Sequence, residues 1–95
     1  MHFIIYCIDK PGSADLRTNI RPDHITFLEK HRNNIFIAGP ILTEDSKDMI
    51  GSLLIVDFPS IKAANNFASN DPYFNAGLFE SVSIKPWKMV FEPTN

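Results

Sequence analysis

The chain has 95 residues, 44% of them hydrophobic, and its 9 basic and 11 acidic side chains leave a net charge of −2. That length supports one domain, residues 1–95, around one core, and a balanced charge without a basic run excludes a surface built to follow nucleic-acid phosphates. The lone Cys7 excludes an internal disulfide and a thiolate metal cluster. The first apolar run ends at Asp9-Lys10, too soon for a signal core or a membrane span. The expectation is a soluble, cytoplasmic protein in which Cys7 is a buried strand residue.

Residues 3–8, "FIIYCI", are short, apolar and rich in β-branched and aromatic types, which predicts a strand buried on both faces. "DKPGSADLRTN" reads as a loop on its Pro11-Gly12 pair and polar content. A first helix is expected from Pro22, whose fixed φ and missing N–H suit a first helical position, to about Arg32, with "NN" at 33–34 stopping it. "IFIAGPI" (35–41) is a second strand interrupted by Gly39-Pro40, which is read as a bulge, and "TEDSKDMIG" is a polar connection. "SLLIVDF" (52–58) is strand three. A second helix over about 61–70 follows, with Ser60 as N-cap, and Pro72 forces it to stop near Asp71. "PYFNAG" is a turn or a one-turn helix. "SVSIKPWKMVF" (81–91) is the last strand, its apolar register switching faces at Pro86.

The order is β-α-β-β-α-β. This is the α+β, ferredoxin-like arrangement of a four-stranded antiparallel sheet with both helices on one side. The strands are apolar on both faces, Phe3, Ile5 and Cys7 opposing Ile4, Tyr6 and Ile8, so a monomer would leave a large apolar sheet face bare. The expected solution is a homodimer packed sheet to sheet, with a higher oligomer of dimers left open.

His24 carries the functional question. At about 100° per residue it falls in the stripe of Ile25, Phe27 and Leu28, aimed at the sheet. His31 lies on nearly the same stripe but in the last turn, where a cationic ring complements the dipole without any chemistry. In the first turn, the positive helix end with Arg17 and Arg21 favours the neutral His24 ring that a general base needs. Its bland alternative is a satisfied core histidine. Asp71, held out of the helix by Pro72, is the best orienting partner, though Asp-Pro also starts turns without function. Without a second histidine at i+4 or a glycine-rich phosphate loop, neither a metal nor an organic cofactor is expected.

The chain resembles the YciI-like family of small bacterial proteins over nearly its whole length. The resemblance rests on "IIYCIDK", Arg17, "RPDH" at 21–24, "AGP" at 38–40, "GS" at 51–52, "DPY" at 71–73, "AG" at 76–77 and the closing "VSIKPWKMVF", in that order. It implies a dimeric α/β barrel and a cleft in which a histidine and an aspartate, here His24 and Asp71, act in acid/base chemistry. One relative is a lyase that eliminates chloride from a hydroxylated chloroaromatic, but the family has no single reaction.

Arg17 and Arg21 are candidate anion or enolate contacts and Ser52 a candidate hydrogen-bond donor, each also explicable as an ordinary surface or strand-end residue. The expected function is elimination or isomerisation, without cofactor, on a small, oxygenated, anionic metabolite. Two alternatives stand beside this enzyme. One is a non-catalytic dimer that binds a small ligand or assists another enzyme; the other is a cofactor-free monooxygenase with Tyr6, Tyr73 and Trp87 at its pocket.

Overall fold

A computed structural model describes residues 1–94. The elements are β1 (His2–Asp9), α1 (Ala14–Lys30), β2 (Ile35–Leu42), β3 (Met49–Asp57), α2 (Ile61–Ser69), the one-turn α3 (Pro72–Asn75) and β4 (Phe79–Trp87), with a 3₁₀ turn at Arg32–Asn34. The strands form one antiparallel sheet in the order β2-β3-β1-β4, so the ferredoxin-like expectation describes the fold.

Period-two alternation sorts the strands. Phe3, Ile5 and Cys7 of β1 and Leu54 and Val56 of β3 point to one face and are buried with Phe27 of α1 and Ala64, Phe67 and Ala68 of α2. Both long helices therefore cover the same side. The other face carries Ile4, Tyr6, Leu53, Ile55 and Ile37, whose cross-strand partners place them together. Tyr6 is 42% and Ile37 49% exposed. Gly51 lets β3 close onto β1, because a Cβ there would collide with the Cys7 carbonyl. Gly77, at φ 75°, turns the chain from α3 into β4.

Four features differ from the sequence reading. Helix α1 starts at Ala14 and not at Pro22: the Arg17 amide bonds the Ser13 carbonyl at 3.0 Å, Asp15 complements the first turn, and Pro22 sits inside the helix on its exposed side. Strand β2 runs in register through Gly39 and Pro40, paired with Leu53 and Ser52. Its irregularities fall between Ile35 and Ile37 and between Ile41 and Leu42, so Gly39-Pro40 is no bulge; as an edge strand, β2 tolerates a proline. Strand β3 begins at Met49, inside the expected polar connection. Strand β4 spans Phe79–Trp87, and Pro86 pairs regularly with Phe3; the register shift lies at Ile8/Asp9. Met89 and Phe91 are therefore outside the sheet. Among the described residues no helix is long and apolar enough to cross a membrane.

Candidate functional site

Positions 17, 21, 24 and 28 follow one another along one face of a helix at 3.6 residues per turn. On α1 these are Arg17, Arg21, His24 and Leu28, and they form one wall of a cleft of about 160 Å³. Ser52 and Leu54 of β3 form its floor. Ala38, Gly39 and Pro40 of the edge strand β2, with Met49, make the opposite wall, and Tyr73 of α3 closes one end.

His24 is buried, 8% exposed, and its Nδ1 lies 2.9 Å from Asp71 Oδ1, whose residue is 5% exposed. Asp71 owes its place to the Asp-Pro dipeptide. With φ −63° and ψ 128° it is the N-cap of α3, Pro72 takes the first helical position, and the same Oδ1 accepts the Tyr73 amide at 2.9 Å. One carboxylate oxygen thus caps a helix and holds the imidazole. Against an ionised Asp71, Nδ1 is the donor, which leaves the Nε2 lone pair as the ring's remaining polar site. The histidine lies near the middle of α1 and not in its first turn, so the N-terminal dipole expected to act on it is too far away.

Tyr73 stacks on the His24 ring, with centroids 4.0 Å apart and planes inclined by 19°. The Arg17 guanidinium lies over the other side of this assembly, 4.6 Å from the tyrosine centroid. Arg17 is itself 4% exposed and held by a fork of bonds, Nε to Asp9 Oδ2 at 2.7 Å and Nη2 to Asp9 Oδ1 at 3.0 Å, while Nη2 also donates to Ser52 Oγ at 2.9 Å. Burial works against the charged guanidinium, but the bonds and charge of Asp9 outweigh it and raise the Arg17 pKa. Burial also pushes the Tyr73 phenol up, against the pull of Arg17 and Arg21. Beneath the cleft, burial first and then the Asp71 and Asp9 charges push the Cys7 thiol up to about 12.

The five residues singled out from the sequence therefore meet in one place. Arg17, Arg21, His24 and Ser52 line the cleft, and Asp71 stands behind His24. Ser52 accepts from Arg17, and its own proton is left for another partner. Arg21 is exposed at the rim, with no ion pair among the described residues. His31 keeps its place at the end of α1 but is half-buried, 4.7 Å from Phe27 and 5.2 Å from Phe67 between ring centroids, so it packs as well as caps. Sequence reading missed Asp9, taken only as the end of an apolar run. An acid closing a buried strand eight residues before an arginine was the available signal.

Comparison with known proteins gives a consistent picture. The YCII-related domain matches residues 1–88. The protein YciI of Escherichia coli O6:H1 is 39% identical, the alignment spanning 96% of this chain and all of that protein. An uncharacterized protein of Haemophilus influenzae is 32% identical over the same shares. Among solved structures, 5-chloro-2-hydroxyhydroquinone dehydrochlorinase (TftG) from Burkholderia phenoliruptrix AC1100, in complex with 2,5-dihydroxybenzoquinone, superposes with a TM-score of 0.85. It is 38% identical, with 93% of this chain and 94% of that one covered.

Proposed function

The chain belongs to the YCII-related domain family, and from that premise we propose that it is a cofactor-independent acid/base enzyme whose substrate is a small, oxygenated, anionic ring compound. The observation that carries this reading is the buried bond of 2.9 Å between His24 Nδ1 and Asp71 Oδ1 at the wall of a cleft of about 160 Å³. Asp71 fixes the tautomer, and Nε2 takes a proton from carbon or oxygen next to an electron-withdrawing carbonyl. Isomerisation returns that proton elsewhere on the substrate; elimination expels a leaving group with its electron pair. Arg21 at the rim attracts the anion, and Ser52 supplies a hydrogen bond from the floor. The likeness to a dehydrochlorinase supports a substrate of the hydroxyquinone class, whose single ring is of a size with the cleft.

The working unit in this reading is a homodimer in which the sheet faces bearing Tyr6 and Ile37 pack together, since both side chains are left exposed by the described residues of the chain itself. It works in the cytoplasm, where Cys7 remains a free thiol.

The test is exchange of carbon-bound hydrogen for solvent deuterium, followed by NMR, in 2,5-dihydroxybenzoquinone and a panel of enolisable hydroxyquinones. Wild type is expected to accelerate exchange in at least one of them. Asp71→Asn lowers the rate by up to about ten-thousand-fold, as amidation of the orienting carboxylate does in the serine-protease triad, and His24→Asn abolishes it. Exchange that proceeds equally in His24→Asn refutes the reading.

A further inference from the structure

Asp9 stands behind the cleft and not in its wall. Continuing the alternation of Phe3, Ile5 and Cys7 puts it on the helix-covered face of β1, where its side chain is 7% exposed. Cys7 pairs with Ser52 across β1 and β3, so Asp9 and Ser52 are diagonal neighbours on that face. Arg17 of α1 bridges them. Its Nε and Nη2 donate to the two oxygens of Asp9 at 2.7 and 3.0 Å, and Nη2 donates again to Ser52 Oγ at 2.9 Å. Three bonds to two strands fix the plane of a guanidinium that itself lines the cleft and also bonds the Tyr73 side chain.

Stability alone does not account for this arrangement. Withdrawing two charges from water costs about as much as their attraction returns, and a well-packed apolar pair of similar volume would fill the space as well. The cleft end of the chain of bonds does account for it. A guanidinium only donates, so Ser52 has to accept from it and keeps its own proton for another partner. Ser52 is 3% exposed, lines the cleft, and among the described residues donates to no protein group. A serine released from Arg17 would turn freely between donating and accepting.

We infer that Asp9 is a positioning residue for ligand binding: through Arg17 it holds the Ser52 hydroxyl as a donor to the cleft, where it bonds a ligand oxygen that carries negative charge. This rests on the acid/base reading above, which brings such an oxygen into the cleft. An amino group in that place would meet only donors, so the arrangement selects a carbonyl or ionised ring oxygen over a ring nitrogen that bears hydrogen. The hydroxyl keeps its proton, and Asp9 never touches the ligand.

The experiment is a double-mutant cycle on the affinity for 2,5-dihydroxybenzoquinone, titrated by visible absorption into wild type, Asp9→Asn, Ser52→Ala and the double variant. Losing a hydrogen bond to a charged oxygen weakens binding about 10- to 100-fold, which is the loss expected in Ser52→Ala. Asp9→Asn is expected to weaken binding by up to the same factor. Its effect should shrink to about twofold or less once Ser52 is alanine, because both substitutions act on one hydroxyl. An Asp9→Asn loss of equal size in both backgrounds, or no loss at all, overturns the role of Asp9. A wild type that does not bind the probe overturns it together with the substrate class. Circular dichroism checks each protein, and Asp9→Glu carries the same cycle where Asp9→Asn is unfolded. Glutamate keeps the charge and displaces the fork, so a several-fold loss is expected with Ser52 present and none with alanine there; equal affinities with and without the change at position 9 in both backgrounds overturn the role. The acid/base reading fails separately, on deuterium exchange that ignores His24→Asn, since the cycle reads binding alone.

Discussion

Replacing Asp9 by asparagine removes the charge that compensates Arg17 but leaves the guanidinium in place. The two side chains are 7% and 5% exposed and joined by two bonds of 2.7 and 3.0 Å, so water cannot take over the lost interaction. Asparagine keeps one acceptor and turns an NH₂ group toward a fork that only donates. Breaking a buried pair from one side costs about 3–5 kcal/mol. At about 0.05–0.15 kcal/mol per residue, a chain of 95 residues holds about 5–14 kcal/mol in all, so the substitution removes a large share of the stability. Equilibrium urea unfolding followed by circular dichroism reads it directly. With an m-value of about 2 kcal/mol/M, the midpoint drops by about 1.5–2.5 M. The double replacement Asp9→Leu with Arg17→Met removes both charges together. It should be less damaging than Asp9→Asn alone, although Ser52 loses its partner. An Asp9→Asn midpoint within about 0.5 M of wild type, or a double variant weaker than the single one, would refute the claim that Arg17 depends on Asp9.

Three further outcomes are expected. With its pKa raised from 9.0 to about 12, Cys7 carries about a thousandfold less thiolate at pH 8 than an ordinary thiol, so iodoacetamide should label it only in urea; rapid labelling of the folded protein, read by mass spectrometry, contradicts this. Because the folded state keeps a proton that the unfolded chain releases above about pH 9, this thiol also makes stability fall as pH rises from 9 toward 12. Ile37→Glu places a charge on the open sheet face, where Ile37 is 49% exposed, and should yield a folded monomer by analytical ultracentrifugation at concentrations where wild type is dimeric; a monomeric wild type refutes the assembly.

Architecture was readable from the sequence because strand signals are carried by apolar side chains, and "FIIYCI" and all of "SLLIVDF" but its last residue are strand in the structure. The first half of α1 was not, for a related reason. Its buried face is occupied at Arg17 by a charged side chain, and a search for an apolar stripe passes over a helix whose inward residues are ion-paired. The end of β4 was overextended because Trp87, Met89 and Phe91 alternate, yet alternation beyond Trp87 has no neighbouring strand to pair with. His24 and Asp71, 47 positions apart, were connected through chemistry and family likeness. The dependence of the His24 ring and the Tyr73 amide on one oxygen of Asp71, and the tyrosine stacked on the ring, are tertiary facts with no local signature.

The two long walls of the cleft differ in how freely they can change. On the α1 side the buried polar groups are tied to one another, Arg17 to Asp9 and Ser52, His24 to Asp71, and Asp71 to the start of α3, with Arg21 alone standing apart at the rim. Altering one member there disturbs several. The opposite wall is a strand edge whose Ala38, Gly39 and Pro40 are exposed and donate no side-chain hydrogen bond, and a Cβ added at Gly39 meets nothing within 4 Å. Substitution along β2 can therefore remodel what the cleft accepts while the His24–Asp71 bond and the Arg17–Asp9 ion pair stay as they are. Diversification on this scaffold has an inexpensive direction: new ligands can be explored from the rim strand by single replacements, with the His24–Asp71 bond inherited unchanged.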